Sequence, residues 1–332
     1  MTDVCDFFII FAPHLYVYFD WKSWFFMRKI VVIVNPVAGG KSKSNIPSLV
    51  DEVFPPCDYC VDIVYTERAG HGYELALQAI ADGADTIVAV GGDGTVNEIG
   101  KALITDTNVS FGIVPMGSGN GLALHAEIPL EIKAAFELIR EGHSELIDYG
   151  DVNGHIFFTT AGTGYDAEVG QRFAEMGKQQ FNLGIKRGPI TYLRAVIEMA
   201  ATYVPKEYTI MTDDEVFHLK AFLITIGNAA QWGNKFYITP RASQQDGVFS
   251  VSVVEPFLYI EAPMMAVQLL KRRIDKNIHV RTISSKHLRI LCDNIGYSHV
   301  DGEPMLLEQP LDITMHAGGL RIIVPKERKE IL

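Results

Sequence analysis

Gly91-Gly92-Asp93-Gly94-Thr95 sets three glycines and a carboxylate between an apolar, β-branched run, Thr86 to Val90, and a segment with apolar residues at helical spacing, Thr95 to Ile104. Glycines let the backbone approach a ligand closely, and a helix N-terminus just beyond offers unpaired amides to an anion. Phosphate suits such a turn. Asp93 would repel a bare phosphate at close range, so a divalent cation between carboxylate and phosphate is the expected companion. The competing reading is a tight strand-to-helix turn with Asp93 as an N-cap.

The elements that must position this turn follow from periodicity. Strands are predicted at Ile30 to Val34, Val61 to Tyr65, Thr86 to Val90 and Phe111 to Val114, with helices at Ile46 to Val53, Tyr73 to Asp82, Thr95 to Ile104 and Glu131 to Arg140. Alternation of this kind predicts an α/β N-terminal nucleotide-binding domain with an open, mainly parallel sheet covered on both faces. Two further glycine-rich loops, beginning at Asn35 and at Gly117, also follow predicted strands, so all three converge on the carboxyl edge where open sheets bind ligands. Neither loop fits a commoner label. Asn35 stands where a P-loop needs glycine, and Pro36 removes an amide; Gly117-x-Gly119-x-Gly121 has the wrong final spacing for a dinucleotide fingerprint.

Composition narrows the rest. With 332 residues, 48% of them hydrophobic, two domains are expected. A net charge of −11 argues against nucleic acid and against purely electrostatic attraction to anionic lipid, leaving apolar or local membrane contact. The four cysteines form no zinc or disulfide framework, which suits reduced thiols in the cytosol. Phe7 to Phe19 is too short and interrupted to span a bilayer, and it has no signal-peptide features; residues 1–27 read as an extension outside the fold, with a membrane-surface hook as the alternative. Beyond residue 148 short β-rich runs dominate: Ile156 to Thr160, Tyr208 to Thr212, Val216 to Ile226, Val248 to Val254, Ile278 to Ile283, Leu288 to Leu291, Leu311 to Met315 and Leu320 to Val324. They predict a β-rich sandwich C-terminal domain interrupted by one long helix around Thr191 to Tyr203.

Gly91 to Thr95 with Asn97-Glu98 resembles the nucleotide loop of the diacylglycerol kinase and sphingosine kinase superfamily, which NAD kinases share more distantly. Asn35-Pro36-Val37-Ala38-Gly39-Gly40 resembles that family's first loop, Pro115-Met116-Gly117-Ser118-Gly119-Asn120 its third, and Val300-Asp301-Gly302-Glu303 its late acidic motif. Four motifs in order, over roughly residues 29 to 325, are far more specific than one. The resemblance implies a nucleotide-binding domain over 28–148 and a sandwich lipid-substrate domain over 149–325, with the active site in the cleft between them. It allows the last strands to return toward the first domain.

The same resemblance assigns residues. Asn35, Pro36, Gly39, Gly40, Thr66, Gly91, Gly92, Asp93, Gly94, Thr95, Asn97, Glu98, Gly117, Ser118, Gly119 and Asn120 would hold ATP, and Asp93 and Asp148 would hold Mg²⁺. Asp301-Gly302 by itself reads as a hairpin turn. In a kinase, Asp301 becomes the base that accepts the acceptor hydroxyl's proton, with Glu303 supporting it or holding metal. Glu168 and Asn228 match positions near the lipid pocket, although Glu168 equally suits a helix-capping acid. Asp246-Gly247 reads as a turn that could hold a structural cation. Gly121 departs from the pattern, standing where many bacterial diacylglycerol kinases have an acid and sphingosine kinases a small residue. The implied activity is ATP- and Mg²⁺-dependent phosphorylation of a lipid such as diacylglycerol, by a cytoplasmic protein that meets membranes transiently through apolar loops of the second domain. Sphingoid base as acceptor, an NAD kinase-like enzyme and a non-catalytic nucleotide-binding protein stay open, as does oligomeric state, a homodimer included.

Overall fold

The computed structural model describes residues 27–39, 43–182, 196, 198, 199, 202–233 and 235–327. The N-terminal aromatic stretch, Gly40 and most of the 191–203 segment lie outside them. From Arg28 the chain alternates through β1 (Arg28–Val34), α1 (Ile46–Val53), β2 (Tyr59–Tyr65), α2 (His71–Ala81), β3 (Thr86–Gly91), α3 (Asp93–Leu103), β4 (Ser110–Pro115), α4 (Gly121–His125) and α5 (Ile132–Glu141). All six residues of β3 are buried, which requires cover on both faces and suits the interior of a parallel sheet. The strands run in the order β2-β1-β3-β4, all parallel. Ile46, Val50 and Val53 bury one face of α1 at helical spacing.

The second half contains β5 (His143–Val152), β6 (His155–Phe157), β7 (Thr160–Gly164), α6 (Tyr165–Asn182), β8 (Lys206–Thr212), β9 (Val216–Ala221), β10 (Leu223–Gly227), β11 (Phe249–Val254), α7 (Ala262–Leu270), β12 (Val280–Ser285), β13 (His287–Leu291), β14 (Ser298–Val300), β15 (Glu303–Met305) and β16 (Leu311–Val324). A six-stranded antiparallel sheet, β12-β11-β10-β7-β14-β15, packs on the antiparallel part of a ten-stranded one. Ala161, Ile224, Val251, Ile290 and Ile313 meet in the core between them. The chain is therefore a mainly parallel α/β half joined to an antiparallel β sandwich.

Four runs that read as units in the sequence divide or fuse. Val216 to Ile226 becomes two strands in different sheets. Exposure alternates along β9 and vanishes along β10. Phe222 turns the chain between them by entering an aromatic group with Tyr165, Tyr203 and Phe257. Ile156 to Thr160 is split at Phe158 and Thr159, whose amides are drawn to a side chain instead of a ladder. Conversely, Leu311 to Met315 and Leu320 to Val324 are one strand, bulged between His316 and Leu320. The first part of β16 lies in the sandwich core, and the last part joins the core of the α/β half and pairs in parallel with β4. Periodicity misses α6 and α7; in α7 nearly every residue is apolar, so no polar face marks it.

Asp148 explains the bulge. Its carboxylate is buried and accepts from the Gly318 and Gly247 amides, both at 2.8 Å. The resemblance gave Asp148 to metal; here each of its oxygens accepts from a backbone amide, and the residue does not line the cleft described below. Asp148→Ala leaves two amides without their acceptor, at roughly 1–3 kcal/mol each. Calorimetry without added divalent cation should show a melting temperature lowered by several degrees; an unchanged value would argue that the staple is unimportant.

Candidate active site

Three loops meet at the carboxyl ends of β1, β3 and β4. The loop after β3 is a single residue, Gly92, before α3 begins at Asp93. Its backbone lies against the loop after β4 so closely that a Cβ on Gly117 would come within 2.7 Å of the Gly92 Cα. Only glycine permits that approach. Asn120, with φ of 53°, closes its own loop by accepting from the Gly117 amide at 2.8 Å and donating to the Gly117 carbonyl at 2.9 Å. Asn35 reaches from the first loop to donate to the Thr95 hydroxyl at 2.9 Å. Asn35, Gly39, Gly91, Gly92, Asp93, Gly94, Thr95, Gly117, Gly119 and Asn120 are thus brought together, with Ser118 and Pro36 exposed on the loops. Thr66 sits one strand further out, its amide on the Val34 carbonyl.

Asp93 is a tie as well as a charge. One carboxylate oxygen accepts from the Asn120 amide at 2.7 Å and the other from the Gly121 amide at 2.6 Å. Burial pushes its pKa above the ordinary 3.8, those amides pull it back, and the charge of Asp301 pushes it up further.

Asp301 comes from the other half of the molecule. With Gly302 it makes the left-handed turn between β14 and β15, with φ values of 48° and 82°, so the hairpin reading is correct as geometry. Its carboxylate nevertheless points into the cleft. Oδ1 accepts from the Thr159 amide at 2.8 Å, the Thr159 hydroxyl at 2.6 Å and the Thr160 amide at 3.3 Å. Oδ2 accepts from the Phe158 amide at 3.0 Å and from the Asn97 side chain at 2.9 Å. Asn97 also donates to the Ile156 carbonyl at 3.1 Å, so α3 is fastened to the sandwich at the point where β6 gives way to β7. Asp93, Gly94, Asn97, Lys101, His155, Asp301 and Glu303 line one continuous cleft.

Several residues drawn from the resemblance are elsewhere. Glu98 faces away, accepting from the Gly70 and Gly72 amides at 2.8 and 3.1 Å and so capping α2. Asn228 is fully buried and clamps the Asp148 and Phe158 carbonyls, both at 2.8 Å, out of reach of a substrate. Glu168, in the first turn of α6, lies 3.6 Å from Lys206 and accepts from the Tyr297 amide at 3.4 Å, so its charge is already opposed. Lys101 and His155 were missed. The signal for Lys101 was available, since Asp93, Asn97 and Lys101 recur every four residues on one helix face. His155 carries no such signal, being placed by the β5–β6 turn.

No group of three or more His, Cys, Asp or Glu that could hold a metal ion occurs among the described residues. Mg²⁺, however, commonly takes one or two protein carboxylates and completes its shell with phosphate and water, for which Asp93 and the glycine-lined loops fit.

Residues 29–152 match the family described as Diacylglycerol kinase catalytic domain, and residues 159–324 match the YegS C-terminal NAD kinase beta sandwich-like domain. A diacylglycerol kinase of Staphylococcus aureus (strain MRSA252) is 30% identical over 234 residues, covering 69% of this chain and 71% of that protein. The chain belongs to the diacylglycerol kinase-like lipid kinase family. The Bacillus subtilis (strain 168) diacylglycerol kinase is 26% identical over 312 residues, covering 92% of this chain and 99% of its own length. A crystal structure of a Bacillus anthracis (strain Sterne) diacylglycerol kinase superposes with a TM-score of 0.67 at 20% identity, over 90% of this chain and 97% of that one. It shares the two-part fold.

Because the folded state holds the Asp93 proton more tightly than the unfolded chain does, the two states are equal in this respect below pH 3.8. As pH rises through the raised folded value, ionisation of the unfolded chain runs ahead and stability falls, then levels off once both forms are charged. Asp93→Asn cannot show that loss. Denaturation midpoints of the two proteins, subtracted across this window, should diverge with rising pH; a constant difference would contradict the buried-charge reading.

Proposed function

We propose that this protein transfers the γ-phosphate of ATP to a hydroxyl of a lipid such as diacylglycerol. The observation that carries the reading is the Asp301 carboxylate, held from the sandwich side beside Asp93 at the N-terminus of α3. The Thr159 hydroxyl already donates to it, which is the hydrogen bond an acceptor hydroxyl would make. Asp301 then takes the proton of the attacking hydroxyl, and Glu303, whose carboxylate lies over Gly94, supports the charge at that edge. The α3 N-terminus and the amides of the Gly92 and Gly117 loops hold phosphate oxygens. Asp93 would hold Mg²⁺, which supplies charge neutralisation at the transferring phosphate when bound. Asn97 acts on Asp301, as a positioning residue.

Lys101 and His155 add cationic and hydrogen-bonding capacity at the cleft rim. The acceptor reaches the cleft from a membrane surface, to which the protein binds transiently. No helix among the described residues is long and apolar enough to cross a membrane.

Radiolabelled phosphate transfer with diacylglycerol, sphingosine, ceramide and NAD offered in parallel tests the acceptor. Label in diacylglycerol is the expected result. Label confined to sphingosine or NAD would move the substrate class, and none in any would leave a nucleotide-binding protein. Asp301→Asn keeps a residue that tolerates the left-handed turn but opposes an amide to the surrounding donors. We expect kcat to fall by about 10²-fold or more, with ATP affinity by calorimetry nearly unchanged because the nucleotide loops lie across the cleft. Turnover close to wild type would sink the base assignment.

A further inference from the structure

Helix α7 is apolar on both sides. Met265 and Leu269 pack inward with Phe222, Ile238 and Ile274. The opposite side carries Met264, Val267 and Leu270, at helical spacing and each about half exposed. The segments on either side of the helix are also apolar and exposed: Leu258, Ile260 and Ile278 are 71%, 85% and 88% exposed. Isolated exposed apolar residues need no explanation, but six gathered on one element and its flanks mark an interaction surface.

The charge around this surface is opposite to that of the whole chain. Residues 255–281 hold five Lys and Arg against three Asp and Glu, a formal +2 within a protein of −11. The three acids are all engaged. Glu255 lies 3.4 Å from Arg281, Glu261 lies 3.3 Å from His279 and caps the Leu258 amide, and Asp275 pairs with Arg241 at 2.8 Å. Lys271, Arg273 and Lys276 follow the exposed face of α7, are themselves exposed, and have no ion-pair partner among the described residues.

We propose that α7 and its flanking segments form a docking surface for an anionic phospholipid bilayer, with the apolar face entering the headgroup boundary and the three free cations meeting lipid phosphates. This rests on the reading of the acceptor as a membrane lipid and names the surface that delivers it. Apolar insertion combined with a few basic side chains is what such binding requires. A second copy of this chain suits the surface poorly, because a two-fold contact would set the unpaired cations of one molecule against those of the other. The position is also right. The Tyr237 amide donates to the Leu269 carbonyl at 3.2 Å, and the Arg272 guanidinium lies 4.1 Å from the Tyr237 ring centre. In the same loop, a Cβ on Gly233 would sit 3.7 Å from the Gly119 carbonyl. One short connection therefore joins the docking helix to the third loop of the candidate active site.

The test is co-sedimentation of the full chain with phosphatidylcholine vesicles made with and without phosphatidylglycerol, with no nucleotide or acceptor present. Wild type should bind the anionic vesicles preferentially. The triple variant Lys271→Ala, Arg273→Ala, Lys276→Ala should bind them about 100-fold more weakly, from roughly fivefold per charge. Met264→Glu with Val267→Glu should lose binding to a similar degree. All these side chains are exposed, so both variants should keep wild-type ATP affinity. Equal binding to neutral and anionic vesicles, or variants that bind like wild type, would overturn the proposal. So would a concentration-dependent dimer in sedimentation velocity that Met264→Glu abolishes, since the face would then be a self-interface. Vesicle binding without phosphate transfer to any lipid would sink the kinase reading alone.

Discussion

Five hydrogen bonds converge on the Asp301 carboxylate, and the relation between the two halves of the molecule depends on them. Four come from Phe158, Thr159 and Thr160, where the chain leaves one sheet and enters the other; the fifth crosses the cleft from Asn97 on α3. Amides at a strand break would otherwise be orphaned in a buried place, so the carboxylate satisfies the backbone while the backbone fixes the carboxylate. Neither function can be moved without the other. That coupling is why a residue in a two-residue hairpin turn can serve as a rigid member of a site.

Asp93 faces the same economy from the other side. A partly desolvated carboxylate close to a second one is electrostatically unfavourable, as its raised pKa records. What holds it there is the pair of amides from Asn120 and Gly121, so the charge that would meet a cation is also the peg on which the third loop hangs. Gly121 in place of an acid fits this arrangement: its amide serves Asp93, and another carboxylate would have added repulsion to a cleft that already contains Asp93, Asp301 and Glu303.

Beyond the cleft, the chain separates its charges. Overall the chain carries −11, while the apolar helix α7, the surface we propose for bilayer contact, ends in cations without an ion-pair partner among the described residues. Through Tyr237 and Gly233 that helix is connected to the third loop of the candidate nucleotide site.

Local pattern determined the α/β half almost completely. Its inner strand β3 is uniformly apolar because it is buried on both faces, and its glycines announce where backbone must approach backbone; both are properties of a few neighbouring residues. The late Asp-Gly-Glu motif was equally legible as a turn. Tertiary structure decided what no window of sequence contains: that Glu98 serves α2, that Asp148 and Asn228 bond backbone groups away from the cleft, and that Asn97 belongs to Asp301. A carboxylate or carboxamide looks the same in sequence whether it faces solvent, ligand or an orphaned amide. The start of α2, the strand break at Phe158 and Thr159 and the bulge of β16, all set by packing distant segments together, supplied donors and acceptors that claimed these side chains.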